Sequence, residues 1–320
     1  MESPQNIKKR LKSVNNINKI TKAMEMVAAT KMRKSQEIAI ASRPYAFAAL
    51  DFLASLCSLD PTKLPELFKK RDVKKVLFVV VSSDKGLAGA FNSSVFRKFE
   101  KHQKEYPSSA KGSSVAREEH LYVAVGEKAF NYLSKKGFNV VKKFVAVGDY
   151  TTVEQVHPIT DFITKGYMEE RWDRVIVVST HFRSALKQEP HVRRILPIDY
   201  DHIADTVQEI IPERGKFADL IKEQNITFAP LKCDAKEYLI EPSAEEVLQK
   251  LAEHLFFIQF YHLILEANAS EHSARRMAMK TASDNASDLG QALNLQYNKS
   301  RQSKITTEIS EISAGAEALS

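Results

Sequence analysis

Cysteine is almost absent. Two residues in 320, Cys57 and Cys233, cannot build a disulfide scaffold, and both are expected to be free thiols in a reducing compartment. Long apolar runs are missing too. Stretches such as Val76–Val81 fall far short of the roughly 18 to 20 residues a membrane helix needs, and the mean hydropathy is −0.31. The amino end, MESPQNIKKRLKSV, lacks the apolar centre of a secretory signal. Catalytic signatures are lacking as well: the histidines include no HExxH, the cysteines no CxxC, and no serine sits in GxSxG, which leaves zinc-hydrolase and serine-hydrolase chemistry unsupported. No catalytic residue, cofactor or metal is expected. His254 and His262, eight apart on an apolar helical face with no accompanying carboxylate cluster, read as core or surface residues rather than ligands.

Glycine is missing from residues 1–85 and again from 216–289, whereas eight of the ten lie between Gly86 and Gly215. Because glycine punctuates turns and weakens helix interiors by about 1 kcal/mol, this distribution predicts helical ends around a loop-rich middle. What the chain does have is 43% apolar and 27% charged residues, a content that buries a substantial core. The net charge of +7 is unevenly placed. Residues 1–36 hold nine Lys/Arg against Glu2 and Glu25, and residues 241–320 hold eleven acids against seven Lys/Arg. A basic segment suits nucleic acid or a membrane surface, but here the two oppositely charged ends can pair with each other.

At the amino end Ser3-Pro4 is a good N-cap and first-turn pair. Ile7, Leu11, Val14, Ile17, Ile20, Met24 and Val27 then recur every three or four residues, a helical stripe. The helix is expected to run to about Leu56 with a bend at Arg43-Pro44, and to end at Leu59-Asp60-Pro61 and Pro65. The carboxyl end repeats the pattern. Pro242 and the capping box Ser243-x-x-Glu246 open a segment without further proline, striped by Val247, Leu248, Leu251, Leu255 and Ile258 and then by Ala278, Ala282, Ala286, Leu289, Leu293, Tyr297, Ile305, Ile309, Ile312 and Ala316. Unbroken, this helix would reach about 110 Å, so part of it must extend beyond a compact domain. A single helix of that length is unstable uncovered. The amino-terminal helix, opposite in charge and similarly striped, is the expected cover, in a slender left-handed coil with an alanine-rich seam.

Between the helices, Val76–Ser82, His120–Gly126 and Arg174–Ser179 are short β-rich runs alternating with helical or loop segments, among them Glu127–Gly137, a helix closed by its glycine. The fold class is therefore α/β, a long coil of the two terminal helices plus a central α/β domain with a mainly parallel sheet. The expected segments are 1–58, 73–240 and 243–319. The loop Ser83–Asn92 follows a strand and opens a helix, as phosphate-cradling loops do, yet it carries neither GxGxxG nor GxxxxGK[ST], so it reads as a structural turn. The basic amino-terminal helix has no interleaved aromatics before Tyr45, which favours protein neighbours over nucleic acid.

The segment Ile20–Glu37, ITKAMEMVAATKMRKSQE, resembles the amino-terminal signature of the gamma subunit of F-type ATP synthases. Ala269–Leu319 resembles its carboxyl-terminal signature, and SDKGLAGAFN at Ser83–Asn92 is similar to a loop of the family, which often has a cysteine and a second glycine where Ala88 and Ala90 stand. The resemblance implies a long antiparallel coiled coil of the N- and C-terminal helices plus a central Rossmann-like α/β domain, and a non-catalytic rotor shaft, the central stalk that couples proton or sodium flow through the membrane rotor to conformational cycling of catalytic beta subunits. It implies as partners a ring of alternating alpha and beta subunits, an epsilon subunit and the membrane c-ring, with no nucleic acid and no insertion of the chain itself into the bilayer. By position, Arg301, Gln302 and Thr306 resemble residues that hydrogen-bond a beta-subunit loop, and Met24 resembles the shaft position facing the beta lever, a role that competes with a plain seam residue. Lys31 and Arg33 belong to the basic face offered to acidic lever segments. With no Arg-rich presequence in view, the expected location is peripheral, on the cytoplasmic face of a bacterial plasma membrane, or on an organellar inner face after processing.

The chain departs from shorter members at Asp199–Pro230, a lengthened, charged insertion expected to tune ATP hydrolysis or to contact the membrane rotor. Cys233 near it and Cys57 far from it make no thiol switch. Two other classes stay open on the residues alone: a nucleotide-binding α/β enzyme using the Gly86 loop, and a basic coiled-coil protein that binds nucleic acid.

Overall fold

Runs of β-branched and aromatic residues with little polar interruption form strands that are covered on both faces, and the centre of the chain is built on them. The structure, a computed structural model, describes residues 3–41, 65–106, 118–148, 151–198, 241 and 243–317. The expected bend at Pro44, the breaker at 59–61, both cysteines and the 199–230 insertion lie outside the described residues. In chain order the elements are α1 (Pro4–Ala41), β1 (Lys75–Val81), α2 (Phe91–Glu105), β2 (Glu119–Val125), α3 (Glu127–Lys135), β3 (Val140–Phe144), α4 (Val153–Met168), β4 (Arg174–Phe182), β5 (Gln188–Leu196) and α5 (Ala244–Glu317).

The five strands among the described residues form one sheet in the order β3-β2-β1-β4-β5. β1 lies parallel to both β2 and β4, β3 is parallel to β2, and only β5 runs antiparallel, beside β4. Alternation along the strands makes two cores. Leu77, Val79 and Val81, with Val123, Val125, Val175 and Val177, pack under α4 through Val156, Ile159, Ile163 and Tyr167, and under the Leu248–Ala267 stretch of α5. Val76, Phe78 and Val80, with Tyr122, Ala124, Ile176 and Val178, pack under α2 through Val95 and Phe99 and under α3 through Ala129 and Leu133. Each fully buried valine, leucine, isoleucine or phenylalanine among them contributes about 1.5–3 kcal/mol by leaving water. The expected Rossmann-like, mainly parallel α/β layering is present.

Two strands whose β-formers are interrupted by charged residues or proline were not anticipated. β3 (VVKKF) and β5 (QEPHVRRIL) are the sheet edges, where one side faces solvent and lysine, arginine or proline is tolerated. The three anticipated strands are the inner ones.

The molecule divides into two compact units, residues 1–29 with 275–320, and residues 30–274. In the first, α1 and α5 run antiparallel. Ser283 Oγ donates to Asn18 Oδ1 at 2.7 Å, and Gly290 lies against Asn15 and Val14. Both helix starts are capped as expected, Ser3 Oγ accepting the N–H of Asn6 at 3.4 Å and Ser243 Oγ that of Glu246 at 3.2 Å.

The seam is not the expected apolar stripe. On α1 the inward residues are Ile7, Leu11, Val14, Asn18, Thr21, Glu25 and Ala28, a strict alternation of four and three. Ile17, Ile20 and Val27 are 48%, 60% and 54% exposed. On α5 the buried seam is Met279, Ser283, Ala286, Gly290 and Leu293, while Leu289 is 48% exposed. A regular heptad and close backbone approach decide the register, so small and polar residues take seam places that hydrophobicity alone assigns to their larger neighbours. Thr21 satisfies its hydroxyl on the carbonyls of Ile17 and Asn18, both at 3.0 Å, which lets it sit inside the seam.

Candidate partner-binding surface

In doubly wound sheets ligands gather beyond the carboxyl ends of the strands, which here means the Ser83–Asn92 loop. The side chains of Ser83, Asp84 and Asn92 are engaged within the fold. Asn92 Oδ1 accepts the Ser83 N–H at 3.1 Å, Asn92 Nδ2 donates to Ser83 Oγ at 2.7 Å, and Ser83 Oγ donates to the Lys85 carbonyl at 2.7 Å. The amino end of α3, a natural anion site, is closed by the same segment. Asp84 Oδ1 accepts the N–H of Glu127 at 3.0 Å, the Ser83 carbonyl that of Lys128 at 3.1 Å, and Ser82 Oγ that of Ala129 at 2.7 Å. Asp84 Oδ2 accepts the N–H of Ala146 at 2.9 Å, so one carboxylate binds a helix start to the loop after β3. Gly126 makes this closure possible. Its φ is +96°, and a Cβ there would lie 2.2 Å from the Ser82 carbonyl oxygen. The loop is a structural turn.

Among the described residues no group of three or more His, Cys, Asp or Glu is placed to hold a metal, and no helix is long and apolar enough to cross a membrane. His262 is 1% exposed and belongs to the core, while His254 is exposed on the surface of α5. His120 is 7% exposed. Burial pushes its pKa down to about 4, so the ring is neutral and hydrogen-bonds Gln103 Oε1 through Nδ1 at 3.0 Å.

The residues expected to meet partners fall on two helical surfaces. Met24 and Lys31 are half-buried on α1, and Arg33 is exposed, its Nε paired with Glu37 at 3.1 Å. At about 100° per residue, Met24 and Lys31 share a face with Ile17, Ile20 and Val27, so the isoleucines and the valine that the seam rejects form a second apolar strip beside it. On α5, Arg301, Gln302 and Thr306 are all exposed; the Thr306 hydroxyl donates to the carbonyl of Gln302 at 3.0 Å. They flank Ile305, Ile309 and Ile312, which are 46%, 58% and 72% exposed on one side of the helix. Every residue from 301 to 314 is exposed. Side-chain periodicity pointed to these isoleucines, but as seam residues; the structure leaves them bare.

One feature that sequence reading missed lies along α5 from Gln259 to Ser273. All fifteen residues are buried, yet Gln259, His262, Glu266, Asn268, Glu271, His272 and Ser273 are polar. A run of polar residues inside an otherwise apolar helical stretch was the available signal.

The described residues thus build an α/β protein of two parts, a long antiparallel helix pair and a doubly wound five-stranded domain. A family model described as ATP synthase matches residues 3–319. The chain is 34% identical to an ATP synthase gamma chain of Roseiflexus castenholzii over 321 residues and 35% identical to one of Trichlorobacter lovleyi over 319, each comparison covering 100% of this chain and 99% of the relative. Among solved structures, a chain of the Euglena gracilis mitochondrial ATP synthase, OSCP/F1/c-ring, shares the fold with a TM-score of 0.61 at 16% identity, over 99% of this chain and 94% of that one. A chain of the Tetrahymena thermophila central stalk/c-ring structure gives 0.57 at 24%, over 82% of this chain and 99% of that one. The chain belongs to the ATP synthase gamma family, the non-catalytic rotor shafts of F-type ATP synthases.

Proposed function

We propose that this shaft works by presenting different side chains to successive catalytic subunits of a surrounding ring of alternating alpha and beta subunits. The observation that carries the reading is the bare apolar strip of α5. Ile305, Ile309 and Ile312 are exposed on a helix that buries no residue from 301 to 314, and such a surface needs a partner to cover it. Arg301, Gln302 and Thr306 edge that strip and would hydrogen-bond a beta-subunit loop. A guanidinium offers a rigid, multi-donor fork to carboxylate or carbonyl acceptors. The second strip, Ile17, Ile20, Met24 and Val27, with Lys31 and Arg33 beside it, suits an acidic lever segment with apolar residues of its own.

The coupling follows from differential contact energy. An asymmetric shaft touches each catalytic subunit differently at a given angle, so it biases each site's conformational equilibrium differently. Contacts that are exchanged at every step must be individually weak, and exposed ion pairs of about 0–1 kcal/mol meet that need. The α/β domain would meet an epsilon subunit and the membrane c-ring, with the chain peripheral on the cytoplasmic face of a bacterial plasma membrane. The 199–230 insertion would tune hydrolysis or touch the membrane rotor. Deleting Ile203–Lys222 is expected to change hydrolysis or coupling, and unchanged values of both would remove that role.

Native mass spectrometry of the chain co-expressed with alpha and beta subunits tests the reading. One copy per alpha–beta ring is the expected result. Failure to associate, with partners that do assemble around another gamma chain, would overturn it.

A further inference from the structure

The buried polar stretch of α5 is held from two sides. On one side Glu266 Oε2 pairs with His181 Nδ1 of β4 at 2.8 Å, and two turns on, Ser273 Oγ donates to the Ala185 carbonyl at 2.7 Å and accepts from Gln188 Nε2 at 3.4 Å. On the other side the loop between β3 and α4 takes hold. Tyr261 Oη donates to the Thr151 carbonyl at 2.9 Å, Asn268 Nδ2 to the Val147 carbonyl at 2.9 Å and to Thr151 Oγ1, and His272 Nε2 donates to the Gly148 carbonyl at 2.9 Å. Glu266 and Asn268 are separated by about 200° around the helix, so the two sets oppose each other.

A helix buried on all sides by apolar contacts alone has a poorly defined rotational setting. Its side chains repeat every 3.6 residues, and repacked registers lie close in energy. Directional hydrogen bonds at fixed positions remove that freedom, as single buried polar residues do when they set the register of coiled coils. The loop and hairpin that supply the partners come from the sheet, not from another helix that could turn along with α5.

We propose that this polar collar, with Glu266 and His181 as its principal positioning residues, locks α5 against turning within the α/β domain and so passes torque between domain and shaft. The inference rests on the rotor reading above. The collar touches no reacting atom and acts through the angle of α5.

The test uses the fully assembled, membrane-reconstituted complex. The paired variant His181→Leu with Glu266→Met removes the interaction without leaving a buried unpaired charge. Ion translocation and ATP hydrolysis are measured on the same preparation. The expected result is a complex that still hydrolyses ATP but translocates at least about twofold fewer ions per ATP, within the range for mutations in coupling elements. An unchanged ratio, including one in which both activities fall together, would overturn the proposal. If the paired variant does not assemble, Asn268→Leu, which removes the opposing hydrogen bonds to the Val147 carbonyl and to Thr151 Oγ1 at nearly constant size, replaces it: a lowered ratio supports the collar and an unchanged one overturns it. A wild-type chain that never joins the ring would instead sink the rotor reading, so the two failures are distinguishable.

Discussion

Two stretches of the same helix show opposite ways of being stable. From Gln259 to Ser273 every residue of α5 is buried, polar ones included, and each polar group with a described bond is met by the sheet or its loops. From Arg301 to Ala314 no residue is buried, although Ile305, Ile309 and Ile312 are as apolar as anything in the core. The first stretch is completed by its own chain. The second has the composition of an interface and no cover within the described residues. A shaft needs both, a grip that does not let go and a surface that is exchanged among partners.

The contrast breaks most readily in the α/β unit. Trp172 is 2% exposed, donates from Nε1 to the Ile163 carbonyl at 3.0 Å, and lies so close to Gly166 that a Cβ there would fall 2.0 Å from its ring. Trp172→Ala is expected to cost about 3–5 kcal/mol, read as a lowered denaturation midpoint of the full chain. A cost below 1 kcal/mol would mean that the core beneath α4 is not as described.

Acid provides a second, somewhat smaller perturbation of the same unit. The buried His120 ring has its pKa depressed from 6.5 to about 4. Between those values the unfolded chain holds a proton that the folded one does not. Stability is therefore retained above pH 6.5 and falls as the pH drops towards 4, by up to about 3 kcal/mol. His120→Leu should flatten that slope in pH-dependent denaturation, and an equally steep slope in the variant would assign the loss to other groups.

These effects belong to regions whose outline the residues already displayed. The three inner strands were legible because burial on both faces demands continuous apolar runs, and the helix caps at Ser3 and Ser243 because capping is local chemistry. β3 and β5 were not, since an edge strand may carry Lys142, Lys143, Arg193 and Arg194 without penalty. The coil seam was half legible. Periodicity identified the helices and their pairing, but Asn18, Thr21, Ser283 and Gly290 sit inside it while Ile17 and Ile20 do not, because close approach of two backbones favours small side chains over greasy ones. The collar at Glu266 was missed because a glutamate in a helix reads as surface until its histidine partner, 85 positions earlier, is brought to it. Arg301–Thr306 was singled out by resemblance alone, and in the structure these residues lie beside exposed isoleucines.

The exposed stretch should respond in assembly and turnover, not in folding. Arg301→Ala with Gln302→Ala is expected to lower ATPase activity of the assembled complex about fivefold for each lost hydrogen bond of about 1 kcal/mol, with the thermal transition of the isolated chain unmoved. Unchanged turnover in a verified assembly would remove these two residues from the partner surface.

The smallest expected effect is the sharpest test of the comparison. Ile309→Gln and Ile20→Gln each replace an isoleucine that is 58% and 60% exposed, respectively. If those faces await a partner, the isolated chain should change by no more than about 0.5 kcal/mol, because both side chains already spend the folded state largely in water. Ala28→Gln, at a position 2% exposed, forces a long polar side chain into a buried place and should cost several times more. The ordering of the three variants in one denaturation series carries the information. Should Ile309→Gln destabilise the isolated chain as much as Ala28→Gln, the strip is already covered without any partner, and the ring would have to grip the shaft through its charged residues alone.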